Sequence, residues 1–481
     1  MLTAIVTAAA AASFGSAIVA TDAAVLRASP RDSAPQQAQL WQGEVLEVRG
    51  ERLDYLQVWD HARERGGYVR ASQVRRTALT AGEAPDLLAI LRFLREAPGA
   101  ESLGIGVAAA WLQAAPAEVV RGAAGAEVLE ILGSFAERLA QRASAGAGHG
   151  RQQALSAHME VASRYGVKFA SYEREGKVRI CYDGEAFRRV LAGAATPEQK
   201  ARAALALTQP ECVDPALTPA KRRAVNEWRA QVLDRVETTS LPPYVKNRVA
   251  MRRAAVWSTV AYEQARFGEI AQAPAERALA ELASVQRSEL AEEDQAAWND
   301  AVIRVNASRW AAVPAVAPVR DARPVVITQA GQPGETCVLL VDAKHDAANP
   351  LARRCTYGLV WPQSASLNRE GNALTLAVQA MEAWRELWVF RRKGREWTLD
   401  VLPPASLQPE TGYAEFAGWV PGGQQVLVAR EARAEGRWRR SFEVVSLESL
   451  VTQRQSNEAG ALGPFQRWSD PGWKRMSVSV R

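Results

Sequence analysis

Residues 25–50 read VLRASPRDSAPQQAQLWQGEVLEVRG. A short alternating run, Val25 to Ala28, meets a Ser29-Pro30 turn, and after Leu40 and Gly43 a stricter alternation, Val45 to Gly50, begins. Working outward, the same texture fills residues 18–76: IVA and AVLRA on one side, YLQVWD and GYVRA on the other, with Gly66-Gly67 as further turn chemistry. Short strands in such close succession bury a common face only by curling into a small barrel. The stretch therefore predicts a small β-barrel over residues 18–76.

Those residues resemble the bacterial SH3-like domain of exported and cell-wall proteins. Val25-Leu26-Arg27-Ala28-Ser29-Pro30 is similar to its leading "(N)VRSGP" segment. Ser33-Ala34-Pro35, Leu40 and Gly43 follow its "SSPVIGTLKKG" stretch, and Val45 to Gly50 its next strand. Tyr55-Leu56-Gln57-Val58 stands at "WYKV", Gly67-Tyr68-Val69 at "GWV", and Ser72 with Val74 at "SSYL". Ser29 replaces the family's glycine and Tyr68 its tryptophan. The resemblance implies a binding module for peptide or glycan parts of the cell wall, or for a protein partner. Its aromatic residues Trp41, Tyr55 and Tyr68 are the candidate ligand-binding residues.

Beyond the turn-like TALTAGEAP the texture becomes helical, and residues 84–310 are expected to form an α-helical domain. Leu87, Leu88, Leu91 and Leu94 recur at helical spacing, as do Val128, Leu129, Leu132, Phe135 and Leu139. ASAGAGHG at 143–150 predicts a break. VKFASYEREGKVRICYDGEAF predicts one β-hairpin around Glu173 to Gly176, with Asp183 capping a helix through Leu191. Helices are expected to begin near Pro197, near Pro219 and after Pro242-Pro243. In the last of these Val245, Val249, Val256 and Val260 trace the buried face, while Lys246 and Arg253 point away. Residues 311–324, AAVPAVAPVRDARP, read as an Ala/Pro linker.

Residues 325–481 are strand-rich: VVIT, TCVLLVD, ALTLAV, ELWVFRR, WTLDVL, QVLVARE and SFEVVSL. Trp361-Pro362, Trp419-Val420-Pro421-Gly422-Gly423 and Trp468-Ser469-Asp470-Pro471-Gly472 precede the strands ALTLAV, QVLVARE and KRMSVSV. This resembles the "WSPDG" blade repeat of TolB-like β-propellers, with Gly422 at the aspartate and Asp470-Pro471 transposed. About three blades are visible where propellers need about four to eight. The expected architecture is thus multidomain α+β: a small N-terminal SH3-like β-barrel, an α-helical middle domain with one β-hairpin, and an antiparallel β-rich C-terminal domain forming a partial propeller or a sandwich.

The 481 residues carry 59 bases against 53 acids, a net charge of +6, and only eight of the bases are lysine. Arg pairs such as Arg75-Arg76 and Arg252-Arg253 are dispersed and interleaved with acids. A nucleic-acid protein concentrates charge on one stripe, so no nucleic-acid partner is expected. Residues 1–17 read as a signal peptide cleaved after Ala17, where Gly15-Ser16-Ala17 supplies the small residues, although no base precedes the apolar run. Contact with a membrane is expected only through that segment if it stays uncleaved. The four cysteines form two sequence-local couples, Cys181 with Cys212 and Cys337 with Cys355. They suit a periplasmic or secreted protein, though three pairings are open to four cysteines.

No catalytic motif stands out. The four histidines, His61, His149, His158 and His345, have no paired ligand spacing, and no HExxH or CxxC occurs, so no metal and no cofactor are expected. Asp342-Ala343-Lys344-His345-Asp346 with Asn349 offers oxygen ligands but lacks the glycine and terminal glutamate of a calcium loop; a turn-rich surface loop accounts for it. Cys181 beside Asp183 is explained by a disulfide more simply than by a nucleophile. Glu292-Glu293-Asp294 sits in a charged helical segment, and Gly104-Ile105-Gly106 is too short for a phosphate loop. Trp384, Trp388, Trp397, Trp419, Trp438, Trp468 and Trp473 read as core packing, with sugar or partner contact as the alternative. The sequence therefore points to a non-enzymatic envelope protein that binds peptidoglycan or an envelope protein. A divergent cell-wall hydrolase, with its active site among carboxylates of the helical region, is the alternative.

Overall fold

The alternating runs at the N-terminus become β1 (Ser16–Val19), β2 (Ala24–Arg27), β3 (Gln36–Leu40), β4 (Val45–Arg52), β5 (Tyr55–Asp60), β6 (Arg65–Arg70) and β7 (Val74–Thr77). The computed structural model describes residues 15–146, 149–174, 176–315, 323–405 and 411–476. The seven strands form one antiparallel sheet in the order β3-β2-β6-β5-β4-β1-β7. Among the described residues no pair joins β3 to β7, so the sheet is not a closed barrel. Alternation sorts its side chains: Leu46 and Val48 enter the core with Ala17, Val19, Leu26 and Leu56, whereas Val45 is half exposed.

Residues 1–14 of the expected signal peptide lie outside the described residues. Its expected cleavage point does not: Ser16 and Ala17 are residues of β1, and Ala17 is fully buried between β4 and β7. Cutting after Ala17 would remove half of that strand.

The chain folds as two compact units, residues 1–217 and 218–481. In the first, the sheet is followed by α1 (Ala84–Arg95), α2 (Glu101–Ala114), α3 (Ala117–Arg121), α4 (Ala123–Ala145) and α5 (His149–Arg164). Then come the hairpin β8 (Phe169–Arg174) and β9 (Lys177–Tyr182), α6 (Glu185–Ala192) and α7 (Pro197–Leu207). Asp183 accepts the Glu185 N–H at 3.0 Å, satisfying one of the free donors at the start of α6. Leu87, Leu91, Ile105, Trp111, Phe135 and Leu139 form the helical core, and Ile18 of β1 joins it. The apolar run IVA thus serves two cores, with Val19 facing the sheet and Ile18 the helices. The expected break at 143–150 is narrower in the structure, since α4 runs to Ala145 and α5 begins at His149; residues 147 and 148 lie outside the described set.

The second unit opens with α8 (Pro219–Asp234), α9 (Pro243–Arg266), α10 (Gln272–Ala283) and α11 (Gln295–Ser308). Val245, Val249, Val256 and Val260 are buried as their spacing demands. Arg253 is not on the outer face. Its guanidinium is buried and donates to the carbonyls of Leu233, at 2.8 Å, and Val236, at 2.8 Å, where α8 ends. Free carbonyls at a helix C-terminus attract a cation, which draws Arg253 inward. These helices contribute Ala261, Ala271, Ala275 and Ala311 to a core shared with Trp361 and Ala377, so they pack with the β-rich part of their own unit. Residues 316–322 of the expected linker lie outside the described residues.

That β-rich part has a three-stranded sheet, β10 (Val325–Ala330), β11 (Thr336–Val341) and β12 (Ala352–Thr356), and an eight-stranded one. The larger sheet contains two successive antiparallel meanders. They are β13 (Leu359–Leu367), β14 (Ala373–Met381), β15 (Trp384–Lys393) and β16 (Glu396–Leu402), then β17 (Thr411–Val420), β18 (Gln425–Ala434), β19 (Arg437–Ser446) and β20 (Thr452–Ser456). A short parallel bridge from β15 to β17, Trp384 to Gly412 and Arg385 to Tyr413, joins them, so the domain is not wholly antiparallel. No closed propeller forms among the described residues. Val338 and Leu340 of the smaller sheet pack on Leu376, Val378 and Phe390 of the larger one. Two short helices, α12 (Gly463–Trp468) and α13 (Pro471–Met476), end the described chain, and α13 overturns the start of the expected strand KRMSVSV. Pro471 explains it: proline suits the first turn of a helix and cannot donate to a strand ladder.

The cysteines pair locally, Cys181 with Cys212 and Cys337 with Cys355. No helix of the described residues is long and apolar enough to cross a membrane. The two disulfides are compatible with an extracellular or periplasmic protein.

Candidate functional site

The stretch that opens the fold also builds a cleft. Gly43 has φ +85°, and a Cβ there would sit 2.3 Å from the carbonyl oxygen of Ser102, so only glycine lets this turn lie against α2. Ser102 Oγ donates to the Gln42 carbonyl at 2.7 Å, and the Tyr165 hydroxyl, just after α5, donates to the Gly43 carbonyl at 2.7 Å. Gly106, one turn further along α2, meets the same glycine; its added Cβ would lie 2.8 Å from Gly43 O. Gly104-Ile105-Gly106 is therefore a close-packing device, with Gly104 pressed on the Phe135 ring.

Beside this contact lies a cleft of about 430 Å³ within the first unit. Its floor is apolar: Ile18, Leu46, Leu79, Ala110 and Val161. Its polar lining includes Glu44, Glu47, His61, Arg164, Tyr165 and Gln113. Glu44 is buried and held by Arg63 through contacts of 2.8 and 2.9 Å, and Arg63 also binds Asp60 at 2.7 Å. Arg164 stands 3.7 Å from Glu44. Glu47 accepts from Arg49 at 3.0 Å and meets His61 Nε2 at 2.7 Å; these two hydrogen bonds hold its carboxyl below the usual range. Burial pushes the Tyr165 phenol up to about 12, so it stays a neutral donor. The cleft thus offers an apolar floor with a rim of committed charges, which suits an apolar side chain flanked by polar backbone.

None of Trp41, Tyr55 and Tyr68 lines this cleft. Trp41 packs edge-on against His158 of α5, with ring centroids 6.4 Å apart, and His158 Nε2 lies 2.7 Å from Asp22 Oδ1. Tyr55 is buried, and its hydroxyl donates to Asp32 at 2.7 Å. Tyr68 is half-buried in β6 opposite Gln57 and Arg27. The structure does not bring the three together into that cleft. Glu44, Arg63 and Tyr165 were not singled out by the sequence reading; an acid at the head of an apolar strand, Glu44 before Val45-Leu46, was the one local sign.

Several buried carboxylates of the helical region are paired with arginine. Glu101 is buried with Arg138, at 3.8 Å, and Arg142. Glu130 is buried with Arg95, at 3.6 Å, and Arg202. Glu293 and Asp294 bind Arg248 at 2.6 and 2.8 Å. Asp342 accepts the backbone N–H groups of Lys344 and His345 and faces the His345 ring at 2.8 Å, which are the bonds of a surface turn. The buried groups also include Glu263 of α9, 9% exposed, with Asn226 Nδ2 donating to it at 2.9 Å and Oε2 unpartnered. Burial raises its carboxyl to about 7, yet it borders neither this cleft nor the groove at the end of the large sheet of its own unit. Glu335 lies near Cys337 and Cys355, but both sulfurs are in the disulfide and leave one carboxylate, too little to hold a metal. Trp384, Trp388 and Trp473 are buried in packing, whereas Trp468 is exposed.

Compared with protein-family models, curated proteins and solved structures, the chain matches none.

Proposed function

We propose that this chain is a non-enzymatic, periplasmic or secreted envelope protein whose N-terminal sheet is an SH3-like module that holds the peptide part of peptidoglycan. The observation that carries the reading is the cleft beside β4, with its apolar floor of Ile18, Leu46, Leu79 and Val161 and its rim of Glu47, His61 and Arg164. The residues that carry the SH3-like resemblance lie in one antiparallel sheet of short strands, and the two disulfides suit an oxidising compartment. The second unit serves as scaffold; its two four-stranded meanders, each opened by a tryptophan-bearing strand, Trp361 in β13 and Trp419 in β17, are read as blade-like units. Arginine pairing of Glu101 and Glu130 supports binding over hydrolysis, because a general acid or base needs a carboxylate free to exchange a proton with substrate.

Sedimentation with purified sacculi tests it. The intact protein is expected to co-sediment, and Val45→Asp, at the half-exposed mouth of the cleft, is expected to lower retention about tenfold. Equal retention of both proteins, or none of either, removes wall binding; capture of a protein partner at the same cleft would replace it. Release of soluble muropeptides would instead establish a hydrolase.

A further inference from the structure

The second unit has its own groove, of about 720 Å³, within the roughly 300–1,000 Å³ of small-molecule sites. It lies where the start of β14, the end of β15, the start of β18 and the end of β19 come to one end of the large sheet. Backbone bonds tie these ends together: Arg392 N–H to the Asn372 carbonyl at 2.9 Å, and Leu447 N–H to the Gln424 carbonyl at 2.8 Å.

Arg391 fixes the wall. It is 6% exposed, and its guanidinium donates to the carbonyls of Leu447, at 2.5 Å, and Glu448, at 2.6 Å, and to Asp400 at 2.7 Å. Asp400 offsets that charge. The next two residues, Arg392 and Lys393, are exposed and have no carboxylate partner among the described residues. Amides supply the rest of the lining. Gln425 Nε2 donates to Gln453 Oε1 at 2.6 Å, which leaves the Gln453 amide hydrogens for a ligand, and Asn372 Oδ1 accepts from Asn368 at 2.6 Å, leaving its own amide hydrogens. Among the described residues Glu448 is the one acid of the lining, and no aromatic ring belongs to it. Recognition therefore falls to charge and to hydrogen bonds. Two unpaired cations select a negative group, and neutral amides on a fixed wall suit hydroxyls.

We propose that this groove binds an acidic sugar, a hexose or short glycan carrying phosphate or carboxylate, with the negative group on Arg392 and Lys393 and hydroxyls on Asn372, Gln424 and Gln453. The site is independent of the peptide cleft of the first unit. Isothermal titration of the full chain with glucose 1-phosphate and with trigalacturonate tests it, with glucose, maltotriose and inorganic phosphate as comparisons. Binding of either acidic sugar is expected, weakened by added salt and about tenfold weaker in the double variant Arg392→Glu, Lys393→Glu. Both substituted residues are exposed, so the variant is expected to keep the parent melting temperature. Gln453→Ala provides a second reading and is expected to weaken the sugar while leaving inorganic phosphate unchanged. Which of the two probes binds identifies the negative group. No binding of either at millimolar concentration, neutral sugars binding as tightly, inorganic phosphate matching glucose 1-phosphate, or unchanged affinity in the double variant would overturn the proposal.

Discussion

Glu263 and Glu415 belong to the same unit and push its stability in opposite directions with pH. The Glu263 carboxyl is raised by burial to about 7 from 4.5, so the folded chain holds its proton more tightly than the unfolded one. Stability therefore falls as pH rises from about 4.5 through 7. Converting that shift gives about 3 kcal/mol of lost stability at pH 8. Glu263→Gln should flatten this slope, unfolding at higher denaturant than the parent at pH 8 and close to it at pH 5; parallel curves across that range would show the carboxyl to be ionised already. Glu415 is the reverse case. Burial raises its carboxyl, but the guanidiniums of Arg309, at 2.8 Å, and Arg385 outweigh this and hold it below the ordinary range. Its contribution is present above about 4.5 and is lost as pH falls through the folded value. Glu415→Ala removes the carboxylate that faces the buried guanidiniums of Arg309 and Arg385 and should cost about 3–5 kcal/mol in urea unfolding at pH 7.

At the scale of single elements, β1 bears on the proposed export, because a cut inside it would remove core residues. Ser16 and Ala17 pair with Glu47 and Leu46 on one side and with Thr77 and Arg76 on the other. Mass spectrometry of exported protein should therefore find a mature N-terminus at or before Gly15, and Ala10-Ala11-Ala12 offers the small residues for it. A terminus at Ile18 would mean that the sheet is completed without half of β1. The Cys181–Cys212 bridge ties β9 to the turn after α7 across 31 residues. In the chain-entropy account a loop of that length contributes about 3–4 kcal/mol. Cys181→Ala with Cys212→Ala should lower stability by about that much in denaturant without changing helix content.

At the scale of the whole molecule, two compact units with separate cores predict two unfolding transitions in calorimetry, and Glu263→Gln should move only the transition of residues 218–481. A single transition that shifts as one would show the units to unfold together. Many of the elements were legible along the chain, but the division into units at residue 217, inside the stretch 84–310 read as one helical domain, was not. Alternation placed the N-terminal strands, prolines placed the starts of α7, α8 and α9, and turn chemistry placed the hairpin β8–β9, because each is a local property of backbone and spacing. Local cysteine spacing made the two disulfides the natural pairing among three. The cleft was far less legible: Gly43 meets Ser102 and Tyr165 across long stretches of sequence, and no local rule announces such a contact. Arg253 was misplaced for the same reason, since its acceptors are the end of another helix.

By itself, the sequence determined most of the elements, their order and the α+β class, since period, proline and glycine act within a few residues. Only the tertiary structure decided that Ala17 is a core residue, that Trp41 packs against His158 of its own chain, and that the helices after residue 218 share a core with the strands of the second unit. Those outcomes depend on which apolar faces meet and which buried charges find partners, and distant residues settle both.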